Sequence, residues 1–411
     1  MRPVTPRGFR DVLFEEAAER RTVTAAVSAV FAGYGFRFVE TPAVEEYRTL
    51  EAAGASLEGT AFRMVDLDGS LLALRPEMTL PIARLAASRL IGEPAPHRLC
   101  YAADVYREQA SLRGEARQFT QVGVELLGVN GPASDAEVVC VLVDVLAAVG
   151  LRDFTVGIGT VAVLRALIAA AGAGEAWSAE LLAAAHARNL VEFDRLASLA
   201  SVEPAVGEAL RRAVRIGGGR EAIGECRRVA DAVGCADSLD ALEAAWGLLE
   251  AAGLADRVRV DFGILRSFDY YTGLIVEAYA PGLGLPLGGG GRYDDVLAAF
   301  GAPMPAAGFA LSLERVLIAL AAQDVAIPAR GLDAVVGGED VEVARTAAAL
   351  RGAGWTVRMT GARDDAGLIA EAAAAGATWR VLAGEAVARS HDGRTLALDP
   401  VPAPALEGGA R

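Results

Sequence analysis

The stretch RLCYAADVYR (98–107), EQASLRGEA (108–116), RQFTQVGVELL (117–127) decides how the fold is read. Its two outer runs, each of ten or eleven residues, are rich in Val, Leu, Tyr and Phe and read as long strands. The middle run is charged and poor in glycine, so it reads as the loop that turns one strand back beside the other. Gln121 and Glu125 are four residues apart and share one face of the second strand, while Arg107 ends the first. An arginine, an amide and a carboxylate on one surface suit a zwitterionic amino acid, or a carboxylate next to a phosphate. A solvent-facing strand with ordinary polar residues has the same pattern, and spacing alone does not separate the two.

Working outward, 15–33 has the period of an amphipathic helix that stops at glycine, and 36–40 alternates like a strand before Pro42. Short strands are expected at 62–66 and 71–74, a helix at 78–90, and a helix N-capped by Ser134 that ends at Gly150. From 161 to 253 the chain is Ala, Leu, Glu and Arg at helical spacing, a helical insertion. Strands resume at 257–262, where Val258, Val260 and Phe262 alternate with Arg257, Arg259 and Asp261, then at 274–279 and 306–311, with a closing helix at 312–322. The expected class is α+β, an antiparallel sheet backed by helices over 1–322. A linker at 323–330 containing Pro328 leads to a small α/β domain over 331–411, with strands at 334–336, 355–359 and 379–382 and two Ala-rich helices.

The 411 residues are 53% hydrophobic and 22% charged, ordinary globular usage. The longest apolar run, 138–151, is interrupted by Asp144 and falls short of the roughly 18 residues a membrane span needs. Residues 1–7 lack the apolar centre of a signal peptide, so no membrane contact and a cytoplasmic location are expected. The balance is 39 basic against 53 acidic residues, and every basic side chain is an arginine. Without lysine there is no Walker-type phosphate loop and no Schiff base. A net charge of −14 also disfavours nucleic acid. Four cysteines without a C-x-x-C pair and three scattered histidines offer no metal ligand set, and no cofactor is implied.

Two further segments stand out. In LRPEMT (74–79), Glu77 and Thr79 point to one side of an extended segment, where they would hold an ammonium group. The competing reading is a plain helix start, with Glu77 favoured by the helix dipole. In LRSFDYYTG (265–273) the adjacent Tyr270 and Tyr271 are expected on opposite sheet faces. The glycine run before Arg292 in GGGGRYD (288–294) lets backbone approach a ligand closely, and a glycine-rich turn that only permits tight packing is the competing reading.

L-R-P-E-x-T, R-x-F-D-Y-Y-T-G and G-G-G-R-Y-D, in this order, resemble the catalytic core of histidyl-tRNA synthetase and its paralogue, the regulatory subunit of ATP phosphoribosyltransferase. With RGFRDVL (7–13) and the motif 1-like YGFRFVETP (34–42), the resemblance spans about 5–320. It implies a class II aminoacyl-tRNA synthetase-like sheet with a helical insertion, and a C-terminal domain like an anticodon-binding domain in layout. It further implies that Glu77, Thr79 and Gln121 hold the α-amino group of histidine, Glu125 and Tyr271 its imidazole and Arg266 its carboxylate. Arg107 and Tyr270 join the same histidine-binding set, and no catalytic residue is carried over.

The departures favour the paralogue. Gln109, Ala110 and Glu115 replace a carboxylate and two arginines of the synthetase loop, and at Glu115 attraction for phosphate becomes repulsion. Ser267 and Ser312 replace glycines, whereas Arg107 and Arg315 remain. From 331 onward eight arginines face eleven carboxylates, where an anticodon-binding domain needs a positive face. The expectation is therefore a non-catalytic regulatory subunit, required for activity and for histidine feedback inhibition in the first step of histidine biosynthesis. Its partners would be a short-form catalytic subunit, L-histidine and a second copy paired across 43–50, with tRNA not expected. The alternative is an active histidyl-tRNA synthetase that tolerates Glu115 and Ser312.

Overall fold

The computed structural model describes residues 4–52, 61–108, 116–264, 270–328, 331–399 and 401. The chain divides into two compact units, 1–327 and 328–411.

The first unit opens with α1 (Phe14–Gly33), whose buried Val23, Val27 and Phe31 recur every fourth residue and form one apolar stripe. The strand expected at 36–40 reduces to β1 (Arg37–Phe38), an exposed edge that pairs only with Leu99 and Cys100. β2 (Val44–Glu46) leads into α2 (Tyr47–Ala52); with β3 (Arg63–Val65) and β4 (Leu71–Leu74) it makes a small sheet of order β2–β4–β3. α3 (Thr79–Arg89) follows, then the long hairpin of β5 (His97–Tyr106) and β6 (Gln118–Leu127), paired from His97↔Leu127 to Tyr106↔Gln118. α4 (Pro132–Ala148) starts two residues before the expected cap. Gly131 precedes it, and Ser134 is instead buried inside the first turn, donating to the Gly131 carbonyl at 2.8 Å.

β7 (Thr155–Thr160) passes directly into the insertion: α5 (Val161–Ala171), α6 (Glu175–His186), α7 (Leu190–Ala197), α8 (Pro204–Ala213), β8 (Gly217–Gly218), α9 (Arg220–Asp231) and α10 (Asp240–Ala251). Buried Trp177 and Trp246 belong to this module, and the Trp177 indole donates to the Leu196 carbonyl at 3.0 Å. The insertion is helical except for β8, whose two glycines no strand pattern announces.

β9 (Val258–Asp261), β10 (Leu274–Tyr279), β11 (Gly288–Arg292), β12 (Ala306–Ser312) and α11 (Leu313–Ala322) complete the unit. The main sheet has nine strands in the order β1–β5–β6–β12–β11–β10–β7–β9–β8, antiparallel apart from the β1/β5 and β7/β9 pairs. One expectation is corrected here: 288–291 is not a turn but most of β11, in the interior of the sheet. A Cβ on Gly288 or Gly290 would lie 2.1 or 2.0 Å from a β12 carbonyl oxygen, so this close strand pairing excludes larger residues.

The second unit contains β13 (Ala334–Gly337), α12 (Asp340–Gly352), β14 (Val357–Met359), α13 (Asp365–Ala375), β15 (Trp379–Leu382), β16 (Val387–Ser390) and β17 (Thr395–Ala397). Its sheet order is β14–β13–β15–β16–β17, parallel around β13 and antiparallel in the final hairpin. That hairpin was not read from the sequence, because its strands mix Arg, Ser and Ala. Its turn is set by Gly393 at φ +85°.

Candidate functional site

Glu125 is the deepest acid of the first unit, 1% exposed in the middle of β6. Its neighbour across the sheet is Gly308 of β12, where a Cβ would lie 2.0 Å from Glu125 Oε2. The carboxyl group thus occupies space a glycine leaves empty. Three hydroxyls donate to it: Thr79 Oγ1 at 3.0 Å, Tyr101 OH at 3.2 Å, and Tyr293 OH through a short contact to Oε2. Tyr101 needs a glycine as well, since a Cβ on Gly123 would stand 2.6 Å from its hydroxyl. Burial pushes the Glu125 carboxyl up to about 8, against the three hydroxyl hydrogen bonds that favour its ionised form and alongside repulsion from Glu77.

Glu77 fits the helix-start reading and also faces the cavity. Its carboxylate accepts from Thr79 N at 2.7 Å and Leu80 N at 2.8 Å, closing the start of α3, and it also lines the cavity beside Glu125. Desolvation raises its pKa, with the backbone amides and Arg107 acting in the opposite direction. Arg107, just past β5, donates through Nε to the Pro76 carbonyl at 2.9 Å and lies over the Phe119 ring. Burial lowers its pKa while Glu77 supports its charge.

These groups surround a cavity of about 460 Å³. Glu77, Thr79, Arg107, Gln121, Glu125, Tyr270 and Tyr271 all line it. Arg266 lies outside the described residues, as do Ser267, Gln109, Ala110 and Glu115. The tyrosines differ from expectation: they precede β10 rather than alternating within it, and both face the cavity, ring centroids 4.7 Å apart. Tyr293 packs edge-on against Tyr270 at 6.1 Å. Burial raises all three phenols and Tyr101 well above the usual range, so they act as neutral donors. Gln121 is 9% exposed and its Oε1 has no hydrogen-bond partner, an acceptor waiting for a donor.

The other end of the cavity is formed by β10, β11 and the start of α11. Arg315 donates to the Pro286 carbonyl at 2.8 Å, and Ser312, which caps α11, also reaches the wall. Glu277 of β10 adds a third carboxylate, bonded to the Tyr279 hydroxyl. Tyr101, Tyr293 and Glu277 were not singled out from sequence. For Tyr101 a signal existed in the pairing of β5 with Gly123, but it needs the strand register to be read. Among the described residues no cluster of His, Cys, Asp or Glu could hold a metal ion, and no helix is long and apolar enough to cross a membrane.

The cavity therefore offers one end with two acids, Arg107, an amide oxygen and phenols, and a second end with Arg315 and Glu277. The histidyl-tRNA synthetase family profile matches residues 8–316, which contain every one of these groups. The ATP phosphoribosyltransferase regulatory subunit of Moorella thermoacetica is 40% identical over 358 residues, 87% of this chain and 92% of its own. That of Symbiobacterium thermophilum is 39% identical over 368 residues with the same coverage. A crystal structure from Bacillus halodurans, described as an ATP phosphoribosyltransferase regulatory subunit/histidyl-tRNA synthetase, superposes with a TM-score of 0.82 at 29% identity, over 92% of this chain and 98% of that one. With the class II synthetase-like sheet, the cavity built on it and relatives along nearly the whole chain in agreement, the protein belongs to the histidyl-tRNA synthetase family, on the branch of the ATP phosphoribosyltransferase regulatory subunits.

Proposed function

We propose that this chain is a non-catalytic regulatory subunit of ATP phosphoribosyltransferase that binds L-histidine and passes its occupancy to a separate catalytic subunit. The observation that carries the reading is the donor and acceptor set at the acidic end of the cavity. Among the described residues Gln121 Oε1 lacks a donor, Glu125 makes no ion pair and Glu77 feels only nearby Arg107, so an ammonium group would supply what is missing. Glu125, held by three hydroxyls, presents a fixed hydrogen-bonding site to an imidazole. On this reading the catalytic partner transfers phosphoribose to ATP, and histidine bound here both depends on and modulates that assembly.

Self-association across 43–50 belongs to the same reading. Exposed Val44, Met64 and Val65 of the small sheet leave apolar surface that a second copy would cover, and light scattering of the purified chain should give at least a dimer. The retained Arg107 and Arg315 favour one second reading, an active histidyl-tRNA synthetase that clamps ATP in the same cavity. A single comparison separates them. Calorimetric titration should register L-histidine, and histidine-dependent exchange of pyrophosphate into ATP should be absent. Robust exchange would establish the second reading, and no histidine binding would remove both.

A further inference from the structure

β10 forms part of the cavity wall, and the helical insertion holds it at both ends. At its start, where β7 becomes α5, Val161 N donates to the Gly273 carbonyl at 3.0 Å and Thr160 Oγ1 to the same carbonyl at 3.3 Å. One turn along α5, Arg165 reaches back and donates from Nη2 to the Tyr271 carbonyl at 2.6 Å. Toward the far end, Arg188 Nη2 stands 3.8 Å from Glu277 Oε2, which also receives the Tyr279 hydroxyl. Arg188 occupies the corner between α6 and α7 with φ +51°, a left-handed conformation that a residue with a Cβ holds only when its surroundings require it.

Three features make these contacts more than ordinary helix docking. Tyr271 and Glu277, the residues gripped, both line the cavity, and so does Val161, the first residue of the insertion. Both arginines come from the same helical module, Arg165 from α5 and Arg188 from the turn between α6 and α7. In each case the guanidinium spans from the insertion to a cavity wall residue, Arg165 through a hydrogen bond and Arg188 through a looser ion pair.

We infer that Arg165 and Arg188 form a two-point latch joining the helical insertion to the cavity wall, with Arg165 a positioning residue for Tyr271, so that a ligand engaging Tyr271 tightens the insertion. Coupling of this kind is reciprocal: anything that orders the insertion also favours the ligand-ready arrangement of Tyr271. The ligand half of the inference rests on the histidine reading above; the latch itself does not.

The test is hydrogen–deuterium exchange on the full chain, comparing wild type with Arg165→Met, which keeps the apolar stem and loses the donor, and with Arg165→Lys, which restores one. Without ligand, Arg165→Met should exchange about fivefold faster or more over 270–276 and 161–171, Arg165→Lys should recover most of the protection, and 240–251 in α10 should stay unchanged. Wild-type exchange over 270–276 in a folded Arg165→Met overturns the latch. Should Arg165→Met fail to fold, Arg188→Met decides at the other end, where unchanged exchange over 274–279 likewise overturns it. In the second arm, saturating L-histidine should slow exchange over 161–197 in wild type but not in Arg165→Met; equal slowing in both removes the coupling. If calorimetry finds no histidine binding, the functional reading falls, while the ligand-free arm still decides the latch.

Discussion

The two sheets of this protein are built from different materials. The five-stranded sheet of the second unit is mainly apolar inside: Val335, Val336, Val381 and Ala388 are fully buried, Ser390 adds a buried hydroxyl, and the Asp365 carboxylate that pairs with Arg380 at 2.8 Å is about half exposed. The nine-stranded sheet of the first unit places Glu125, Gln121 and Glu277 among its middle strands, and Gly308 keeps room for Glu125, Gly123 for Tyr101 and Gly289 for Glu277. A sheet filled with apolar side chains gains stability from every strand. One hollowed by glycine gives up some of that gain to hold polar groups out of water, which is the condition for selective binding.

The largest effect should come from filling the hollow. Gly308→Ala drives a Cβ to 2.0 Å from Glu125 Oε2 and 2.3 Å from the Val124 carbonyl, so a loss of about 3 kcal/mol in urea unfolding is expected, together with loss of histidine binding. In the second unit Gly352, at the end of α12, has nothing near its absent Cβ, and Gly352→Ala should be neutral or stabilise by up to about 1 kcal/mol. Equal outcomes at the two glycines would break the contrast.

Next in size is Glu125→Gln, which should weaken histidine on the order of 10- to 100-fold by calorimetry while leaving the melting temperature near or above that of wild type, because a desolvated acid is replaced by a neutral isostere. Binding as tight as wild type would place the ligand at the arginine end instead.

The two units should also respond to pH with opposite signs. With its carboxyl raised to about 8, folded Glu125 retains a proton that the unfolded chain releases near pH 4.3. The unfolded state then binds fewer protons, so this group's contribution to stability falls as pH rises between those two values and is constant above. Glu125→Gln should flatten that slope. In the second unit Arg380 holds Asp365 below the usual carboxylate range, and Ser390 and Arg394 lower Asp392 to about 2, so those contributions are present at neutral pH and are lost only on acidification below about 4. Histidine affinity should rise from pH 7 to 8.5 as Glu125 ionises. The smallest effect is Asp365→Asn, which loosens a pair whose carboxylate is about half exposed, worth about 0.2–1 kcal/mol and reduced further by salt.

The fold was legible where side chains alternate over long runs: β5, β6 and α1 lie within a residue or two of their expected bounds. It was illegible where glycine carries the strand, because glycine has no face to alternate, so β11 read as a turn and β8 as nothing. The site residues on strands could be grouped from period alone, as Gln121 and Glu125 were. Tyr270 and Tyr271 could not, because they sit in the approach to β10, where the two-residue period does not apply. Tyr101 and Tyr293 belong to the cavity through contacts with Glu125 that only the folded register creates.

The placement of the aromatic rings has an optical consequence. Four of the eight tyrosines line the cavity or bond Glu125 beside it, while no tryptophan lines it: Trp177 and Trp246 are in the insertion, Trp355 and Trp379 in the second unit. Light absorbed only by indole is therefore blind to a ligand resting against Tyr270 and Tyr271. A change in tryptophan emission on adding such a ligand must originate at a distance from it, and replacing Trp177 or Trp246 by phenylalanine would tell which part of the molecule had moved.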